Sequence, residues 1–288
     1  MKSIVSYPNR GEEGNNKYRG NCSPKLIQDL HEFFKFDVIS DYMRGSNTTG
    51  EVAKKLGIQA NTYDLSMGFD LLNNDIPERN RFCFWHPPYW DIIHYSGSQW
   101  GKDIHPSDLS RSQTYEEFMK QINYCMMKQF HSLEKGGRMA VLVGDVKRKG
   151  KLYSMFCDMV KPGNLENIII KEQHNCWSDT VQYNGKFIPI VHEYLMIVKK
   201  DSPYMINLKM TKDYLVDVRD SLNITWKDVV ASVLEKLGKR ASLTQIYKEL
   251  EGHRKAESNP HWKEKIRQTL QIYKEIFRPI ERGVWGLI

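Results

Sequence analysis

The segment Asp41-Tyr42-Met43-Arg44-Gly45-Ser46-Asn47-Thr48-Thr49-Gly50 decides the fold, because it joins a short apolar stretch to a helix-forming one. The apolar stretch, Phe36 to Ser40, predicts a buried strand, and Gly50 to Leu56 predicts a helix that ends at Gly57. A strand ending in an acid, then a glycine turn and a helix, is typical of doubly wound sheets where they meet a nucleotide-like ligand. The sequence therefore predicts an α/β fold with a ligand site at this turn.

The side chains of this turn suit a polar ligand. Gly45 allows close approach of the backbone, and Ser46, Asn47 and Thr48 offer hydrogen-bond donors near the helix start. No Lys follows the glycine and GxGxxG is absent, so phosphate binding of the Walker or dinucleotide type is not indicated. One strand later, Asp64 is placed to accept hydrogen bonds from ribose hydroxyls. The alternative is an ordinary βαβ turn with a capping acid.

Strands alternate with helices along the first 220 residues. Tyr7 to Cys22 predicts a loop or mobile arm, and Ser23-Pro24 begins an amphipathic helix. Tyr115 to Leu133 predicts a long helix, which the glycine pair Gly136-Gly137 is expected to end. The further predicted strands are Ala60 to Tyr63, Arg81 to Trp85, Arg138 to Gly144, Asn167 to Ile170 and His192 to Lys199. This alternation predicts a mostly parallel, Rossmann-like sheet with helices on both faces, in a domain covering residues 1–220.

The pattern changes near residue 220. Three amphipathic helices, beginning near Trp226, Leu243 and Trp262, precede a hairpin formed by Ile276 to Ile280 and Val284 to Ile288. Three helices and a terminal hairpin predict a winged-helix domain at residues 221–288.

Charge is unevenly divided between these domains. The chain of 288 residues carries 42 Lys and Arg against 35 Asp and Glu, a net +7. Leu222 to Ile288 holds 13 of the basic and 8 of the acidic residues, so this tail alone carries +5. A basic tail favours a polyanionic partner such as nucleic acid, with a solvated Lys/Glu helix surface as the alternative. Exposed Lys263, Arg267, Gln268 and Gln271 are the predicted DNA contacts, and a protein-binding winged helix stays open.

Composition limits the cellular setting. The chain is 40% hydrophobic and 27% charged, as expected for a globular protein, and no apolar run approaches the roughly 18 residues of a membrane helix. Met1 to Tyr18 lacks an apolar signal region. The five cysteines form no CxxC pair, so neither disulfides nor a metal site is expected. These features predict a cytoplasmic protein without membrane contact.

The segment Phe84-Trp85-His86-Pro87-Pro88-Tyr89-Trp90 follows a buried strand and so lies at the ligand-binding edge of the sheet. The Pro87 carbonyl and a ring nitrogen of neutral His86 can accept the two hydrogens of an exocyclic amine, which leaves electron density on its nitrogen. Tyr89 can stack on a flat substrate. The alternative, a Pro-rich surface turn, seldom follows such an apolar strand.

These motifs resemble those of the S-adenosylmethionine-dependent DNA amino-methyltransferases, which methylate adenine N6 or cytosine N4. Asp41 to Thr49 is similar to the DPFxGSGTT cofactor loop, and His86-Pro87-Pro88-Tyr89 is similar to the (D/N/S)PP(Y/F/W) catalytic motif. Asn21 to Ile27 resembles the amino-terminal cofactor motif; Leu133 to Arg138 and His192 to Leu195 resemble later landmarks. Tyr42, Met43, Asn47 and His86 depart from the family pattern.

The resemblance implies the site residues. The implied cofactor-binding residues are Cys22, Ser23, Pro24, Asp41, Gly45, Ser46, Asn47, Thr48, Asp64 and Asp70, with Asp75 an alternative to Asp70 for the adenine amine. The implied catalytic residues are His86, Pro87, Pro88 and Tyr89. Trp90 is expected to contact DNA, next to a loop, Asp91 to Arg111, that closes over the base with Tyr95 and Trp100.

The implied reaction moves a methyl group from S-adenosylmethionine to the exocyclic amine of a flipped base in double-stranded DNA, with adenine N6 preferred over cytosine N4. A cognate restriction endonuclease is a candidate partner. Protonation of His86 would abolish its acceptor role, so activity is expected to fall with pH through the imidazole pKa. The rival hypotheses are a non-catalytic DNA-binding protein with a decayed core and a glutamine methyltransferase acting on protein.

Overall fold

The computed structural model describes residues 1–174, 188–202, 206–211 and 224–288. The chain divides into two compact units, Met1–Thr211 and Lys212–Ile288. The predicted boundary between residues 220 and 221 lies outside the described residues.

The first unit is built on one mixed sheet. Its strands are β1 (Ile4–Val5), β2 (Val38–Asp41), β3 (Gln59–Thr62), β4 (Asn80–Trp85), β5 (Leu133–Val143), β9 (Asn164–Glu172) and β10 (His192–Lys199). Among the described residues they are ordered β1-β9-β10-β5-β4-β2-β3. All neighbouring pairs are parallel except those of β10, which runs antiparallel to both β5 and β9. The predicted mostly parallel, Rossmann-like sheet is confirmed.

Helices cover both faces of this sheet. The α-helices in the described part of the unit are α1 (Pro24–Phe34), α2 (Thr48–Leu56), α3 (Tyr115–Ser132) and the short α4 (Met155–Asp158). Successive residues of a strand enter different cores because their side chains alternate between faces. Phe84 packs with residues of α1 and α2, whereas its neighbour Trp85 packs with residues of α3. Both side chains are almost completely buried, so the centre of the sheet is shielded from solvent on both faces.

The structure corrects several predicted boundaries. Strand β5 begins at Leu133 rather than Arg138, and Gly136-Gly137 lies inside it. The glycine pair is held by hydrogen bonds from Gly136 N to Lys200 O (2.7 Å) and from Lys200 N to Gly137 O (2.9 Å). A Cβ on Gly137 would lie 3.1 Å from the Asn80 carbonyl, so the close approach of β4 explains the glycine. Strand β9 is likewise longer than predicted.

Two small antiparallel strand pairs lie outside the central sheet. Strands β6 (Val146–Arg148) and β7 (Lys151–Tyr153) form an antiparallel hairpin immediately after β5. Strand β8 (Lys161–Pro162) pairs with β11 (Leu208–Lys209). The sequence analysis predicted neither pair.

The second unit contains helices and a small sheet around its own core. Helices α5 (Trp226–Lys236) and α6 (Leu243–Leu250) each begin with a capping box, and α7 (Arg254–Glu257) and α8 (Trp262–Ile272) follow. Strands β12 (Arg240–Ser242), β13 (Phe277–Glu281) and β14 (Val284–Leu287) form a sheet in the order β12-β14-β13. The three predicted helices and the terminal hairpin lie near their expected bounds, while β12 and α7 were not expected. The winged-helix interpretation stays a prediction.

No helix within the described ranges combines the length and apolar character needed to cross a bilayer.

Candidate active site

The turn after β2 is organised around a buried carboxylate. Asp41 is 4% exposed; its Oδ2 accepts a hydrogen bond from Thr49 Oγ1 (2.7 Å) and its Oδ1 accepts one from Met43 N (3.0 Å). Burial raises the pKa of Asp41 to about 6, against the opposing effect of these two hydrogen bonds. Asp41 therefore ties the end of the strand to the start of helix α2 and shapes the loop between them.

Two residues of this loop adopt left-handed backbone conformations. Gly45 has φ 44° and Asn47, the residue before α2, has φ 61°. Asn is the residue that tolerates this region best after Gly, so it can occupy the position at which the resembled motif carries glycine. A Cβ on Gly45 would lie 3.0 Å from the Tyr18 ring, so only glycine fits there without displacement. The departure at Asn47 thus keeps the backbone shape of the loop.

Asp64 connects the ends of β2 and β3. One carboxylate oxygen accepts a hydrogen bond from Gly45 N (3.0 Å), and the other accepts from Ser66 N (2.9 Å) and Ser66 Oγ (2.6 Å). Asp64 is therefore a capping acid, as expected for an ordinary βαβ turn, and it also lines a cavity at the edge of the sheet.

That cavity, here called the loop cavity, gathers most of the predicted cofactor residues. Apolar side chains, among them Leu65, Phe69 and Leu109, form part of its wall. The predicted cofactor residues that line it are Cys22, Asp41, Gly45, Ser46, Thr48, Asp64 and Asp70. Ser23, Pro24 and Asn47 lie outside the lining: Ser23 Oγ donates to Arg10 O (2.8 Å), and Pro24 opens α1. Of the two alternatives for the adenine amine, Asp70 lines the cavity and Asp75 does not.

The amino-terminal arm contributes a wall that the sequence analysis missed. Tyr18, Gly20 and Asn21 line the loop cavity, together with Tyr95 and Trp100 from the later loop. The Tyr18 and Tyr95 rings stack with centroids 5.8 Å apart. The segment predicted as a loop or mobile arm is thus packed against the site.

Hydrogen bonds hold this arm and the later loop in place. Arg19 N donates to Gln99 Oε1 (3.1 Å), which joins the two segments. Asp108, which is buried, accepts hydrogen bonds from the backbone and side chain of both Ser96 and Ser110. The polar composition of both segments concealed this order, because no hydrophobic periodicity marks it.

The HPPY motif, His86 to Tyr89, lies at the carboxyl end of β4 and takes part in a chain of hydrogen bonds. His86 Nε2 lies 2.9 Å from the Tyr89 hydroxyl, and that hydroxyl donates to Glu193 Oε1 (2.6 Å). Lys171 Nζ donates to Glu193 Oε2 (2.6 Å). Pro87 and Pro88 are buried beside it. Glu193 belongs to the His192–Leu195 landmark, but its link to the catalytic motif and to Lys171 was not predicted.

Burial sets the charges of this network. Burial tends to raise the pKa of Glu193, but Lys171, His86 and the two hydrogen bonds outweigh it, so the pKa is lowered and the carboxylate is ionised. Burial, assisted by Lys171, lowers the pKa of His86 to about 4 although Glu193 opposes the change. Burial and Glu193 raise the pKa of Tyr89 well above its ordinary value. At neutral pH the network therefore holds a neutral imidazole, a phenol and an ion pair.

This charge state fixes the tautomer of His86. The Tyr89 hydroxyl gives its only proton to the Glu193 carboxylate, so its oxygen must accept the hydrogen on His86 Nε2. The remaining ring nitrogen, Nδ1, then carries a lone pair, and it accepts no hydrogen bond from any residue in the described ranges. His86 is thus an acceptor through one defined atom.

A second cavity, here called the rim cavity, is also lined by His86. It has a volume of about 700 Å³ and is lined by Pro87, Tyr89, Asp145 and His192, among others. Gly20, Asn21, His86 and Tyr95 line both cavities, so the two adjoin at the HPPY motif. A neutral histidine therefore lines two adjoining cavities, of which the rim cavity is the larger.

The predicted DNA contacts lie in two places. Trp90 packs its ring against Tyr115 and Tyr153, with centroids 5.4 and 5.2 Å away, and its backbone has φ 45°. Lys263, Arg267, Gln268 and Gln271 are exposed on α8 of the second unit. Arg267 donates hydrogen bonds to the Tyr247 hydroxyl (3.1 Å) and to Glu264 (2.8 Å).

Comparison with known proteins gives only distant structural similarities. No protein-family profile and no curated protein matches the chain. TrmN from Thermus thermophilus matches with TM-score 0.35 and 16% identity over 63% of this chain and 50% of that chain. TehB from Haemophilus influenzae has TM-score 0.32 and 10% identity over 61% and 62% of the two chains. An rRNA methylase from Streptococcus thermophilus has TM-score 0.28 and 14% identity over 60% and 96%. This chain spans half the length of the TrmN chain, and the strand order given above defines the fold independently of these values.

Proposed function

We propose that this protein is an S-adenosylmethionine-dependent methyltransferase that methylates the exocyclic amine of an extruded DNA base, with adenine N6 as the preferred target. The observation that carries the proposal is the neutral His86, with a defined acceptor atom, in the lining of both the loop cavity and the larger rim cavity. An amine becomes a better nucleophile when its hydrogens are accepted and its lone pair is left free.

The loop cavity fits the proposed cofactor in chemistry. Asp41, Asp64 and Asp70 offer carboxylate oxygens to amino and hydroxyl groups, and Leu65 and Phe69 offer apolar surface to a purine ring. A bound S-adenosylmethionine would supply an activated methyl group on its sulfonium. Asp64 and Asp70 would hold the ribose and the adenine amine, and the Gly45 turn would lie against the cofactor.

The protein's own groups would orient the acceptor. His86 Nδ1 and the Pro87 carbonyl would accept the two amine hydrogens, and the Tyr89 ring would stack on the base while its hydroxyl stays bonded to Glu193. Such positioning accounts for much of the rate enhancement in a direct transfer, since it converts an encounter into an aligned reaction. The surplus proton of the methylated amine would pass to solvent through the rim cavity, because neutral His86 with a pKa of about 4 is a weak base.

The second unit supports DNA as the substrate. The charge of +5 on residues 222–288 and the exposed basic and amide side chains on α8 suit phosphates and base edges. We therefore propose that residues 221–288 form a winged-helix domain that binds the duplex and leaves the first unit to bind the extruded base. Such an enzyme would methylate DNA sites and so protect them from cleavage by a cognate restriction endonuclease, which is the proposed partner.

The test is incubation with duplex DNA and labelled S-adenosylmethionine, followed by sequencing at base resolution. Methyl groups on adenine N6 at one recognition sequence would support the proposal, and methyl groups on cytosine N4 would support the same site with the other base. Because His86 departs from the family residue, the rival is a DNA-binding protein with a decayed core. Cofactor binding without transfer to DNA would favour that rival and refute the proposed activity.

A further inference from the structure

The hairpin of β6 and β7 carries an unusual concentration of positive charge. Lys147, Arg148, Lys149 and Lys151 lie within five residues, and no acidic residue lies between Val146 and Tyr153. Arg148 and Lys151 are directly opposite each other in the strand pair. Like charges at opposed positions repel each other, and each of these two has a partner: Arg148 pairs with Asp91, and Lys151 Nζ lies 4.7 Å from the centroid of the Tyr153 ring.

The turn of the hairpin carries a conformational cost. Lys149 and Gly150 form a two-residue connection with φ 48° and 78°, the left-handed pair favoured in tight hairpins. Glycine adopts this conformation freely, whereas lysine at the first turn position is strained. Lys149 is exposed at the tip, so neither backbone geometry nor packing accounts for a lysine there.

The hairpin is fixed to the wall of the rim cavity. Lys147 and Arg148 line that cavity together with His86 and Tyr89. Arg148 Nη2 donates to Asp91 Oδ1 (2.8 Å), and Lys147 Nζ donates to Ile188 O (2.6 Å).

The base of the hairpin also touches the catalytic motif. A Cβ on Gly144 would lie 2.6 Å from the Tyr89 ring, so the chain that leads into β6 packs directly on that ring. The cationic tip is therefore held at a constant position relative to the site that would take the acceptor base.

We infer that this hairpin binds the phosphates of the nucleic acid strand that carries the acceptor base, an inference that rests on the proposed function. A base in the rim cavity brings its own phosphates to the cavity mouth, since each nucleotide carries one backbone charge. These phosphates would contact Lys149 and Lys151, while Arg148 stays paired with Asp91. The first unit then contributes its own salt-dependent contacts, in addition to those of α8.

The experiment compares two double variants of the full chain. In K149G/K151Q the hairpin loses two charges while the turn gains the residue that its backbone favours. In the control, K54Q/K135Q, two exposed lysines of the same unit outside both cavities are neutralised. The measurements are KM for duplex DNA at several salt concentrations, kcat at saturating DNA, the Kd for S-adenosylmethionine and the thermal midpoint.

We expect K149G/K151Q to raise KM for DNA roughly tenfold and to reduce the slope of log KM against log salt by about 2, one for each lost phosphate contact. Its kcat and cofactor Kd stay unchanged, and its thermal midpoint does not fall, because the turn is relieved. The control leaves KM and slope at the wild-type values.

Three results would overturn the inference. A KM and slope for K149G/K151Q equal to those of an active wild type would remove the hairpin from the DNA interface and leave the proposed function standing. An equal change in the control would show a general charge effect. Retained DNA affinity together with lost binding to anionic vesicles would assign the hairpin to a membrane surface instead. A wild type that methylates no DNA would instead defeat the proposed function itself.

Discussion

The protonation of His86 gives the sharpest prediction, because burial moves its pKa far from the ordinary value. An unperturbed histidine has a pKa near 6.5, whereas burial lowers that of His86 to about 4. At pH 5.5 the lowered pKa leaves roughly 97% of the imidazole neutral, while the ordinary value would leave roughly 9%. The two cases differ about tenfold in the fraction of protein able to accept the amine hydrogen.

The assay is kcat/KM for DNA between pH 4 and 8.5 at saturating cofactor, because this quantity reports groups of the protein before DNA binds. We expect kcat/KM to stay nearly constant from pH 8 down to about 5 and to fall as the pH approaches 4. The sequence alone placed this fall at the ordinary imidazole pKa, and the structure shifts it to lower pH. A lowered folded-state pKa also costs stability, which declines as the pH falls from 6.5 through about 4, so circular dichroism at each pH must show an intact fold.

The matched control is H86N, which restores a residue type found in the resembled motif and keeps an acceptor oxygen that does not titrate. Its kcat/KM for DNA should lack the fall that the wild type shows near pH 4. Asp41, with a pKa of about 6, is a separate titration in the loop cavity. It should affect KM for the cofactor rather than kcat/KM for DNA at saturating cofactor. A wild-type half-maximum near pH 6.5 that disappears in H86N would refute the reasoning about burial.

Three further predictions concern the ion pair, the loop and the tail. K171M leaves Glu193 buried without its partner and should lower the free energy of unfolding by about 3–5 kcal/mol, whereas K171M/E193Q should recover most of that lost stability. A loss under 1 kcal/mol for K171M, measured by urea unfolding, would contradict this. N47G should keep the stability of the wild type, whereas N47A should lose about 1 kcal/mol of unfolding free energy, because alanine is strained at φ 61°. Equal thermal midpoints for the two variants would count against this prediction. K263A and R267A should each weaken duplex binding and reduce its salt slope by about 1, as measured by fluorescence anisotropy; unchanged affinity in both would remove α8 from the interface.

The sheet and the motif positions could be predicted from the sequence because their signals are local. The buried strand ending at Trp85 is a continuous apolar run, and the turn at Gly45 follows a strand and precedes a helix, so both could be placed without knowing any contact. Strand β10 was predicted with its observed bounds for the same reason.

The missed features depend on partners far apart in the chain. Lys171 follows the predicted strand Asn167 to Ile170, and Glu193 lies in the landmark His192 to Leu195. Only the pairing of β9 with β10 brings the two together at the Tyr89 hydroxyl. Tyr18 lies in a polar, glycine-rich arm. Its place in the cavity wall follows from ring stacking on the remote Tyr95 and from the neighbouring hydrogen bond between Arg19 and Gln99, not from any periodic pattern. A glycine pair that usually ends an element lies inside β5 because a neighbouring strand needs the space.

The pairing of Lys171 with Glu193 also bears on how the sheet assembles. The two residues are directly opposite in the antiparallel β9–β10 pair, and both are buried on the same face. A slip of one residue would turn one of these charges to the opposite face, into the core around α3, and leave the other alone. An unpaired buried charge is costly, so the Lys171–Glu193 pair favours the observed register of β9 and β10 over a shifted one. The same register places Glu193 at the Tyr89 hydroxyl, so the hydrogen bonds of the HPPY motif depend on the correct pairing of these two strands.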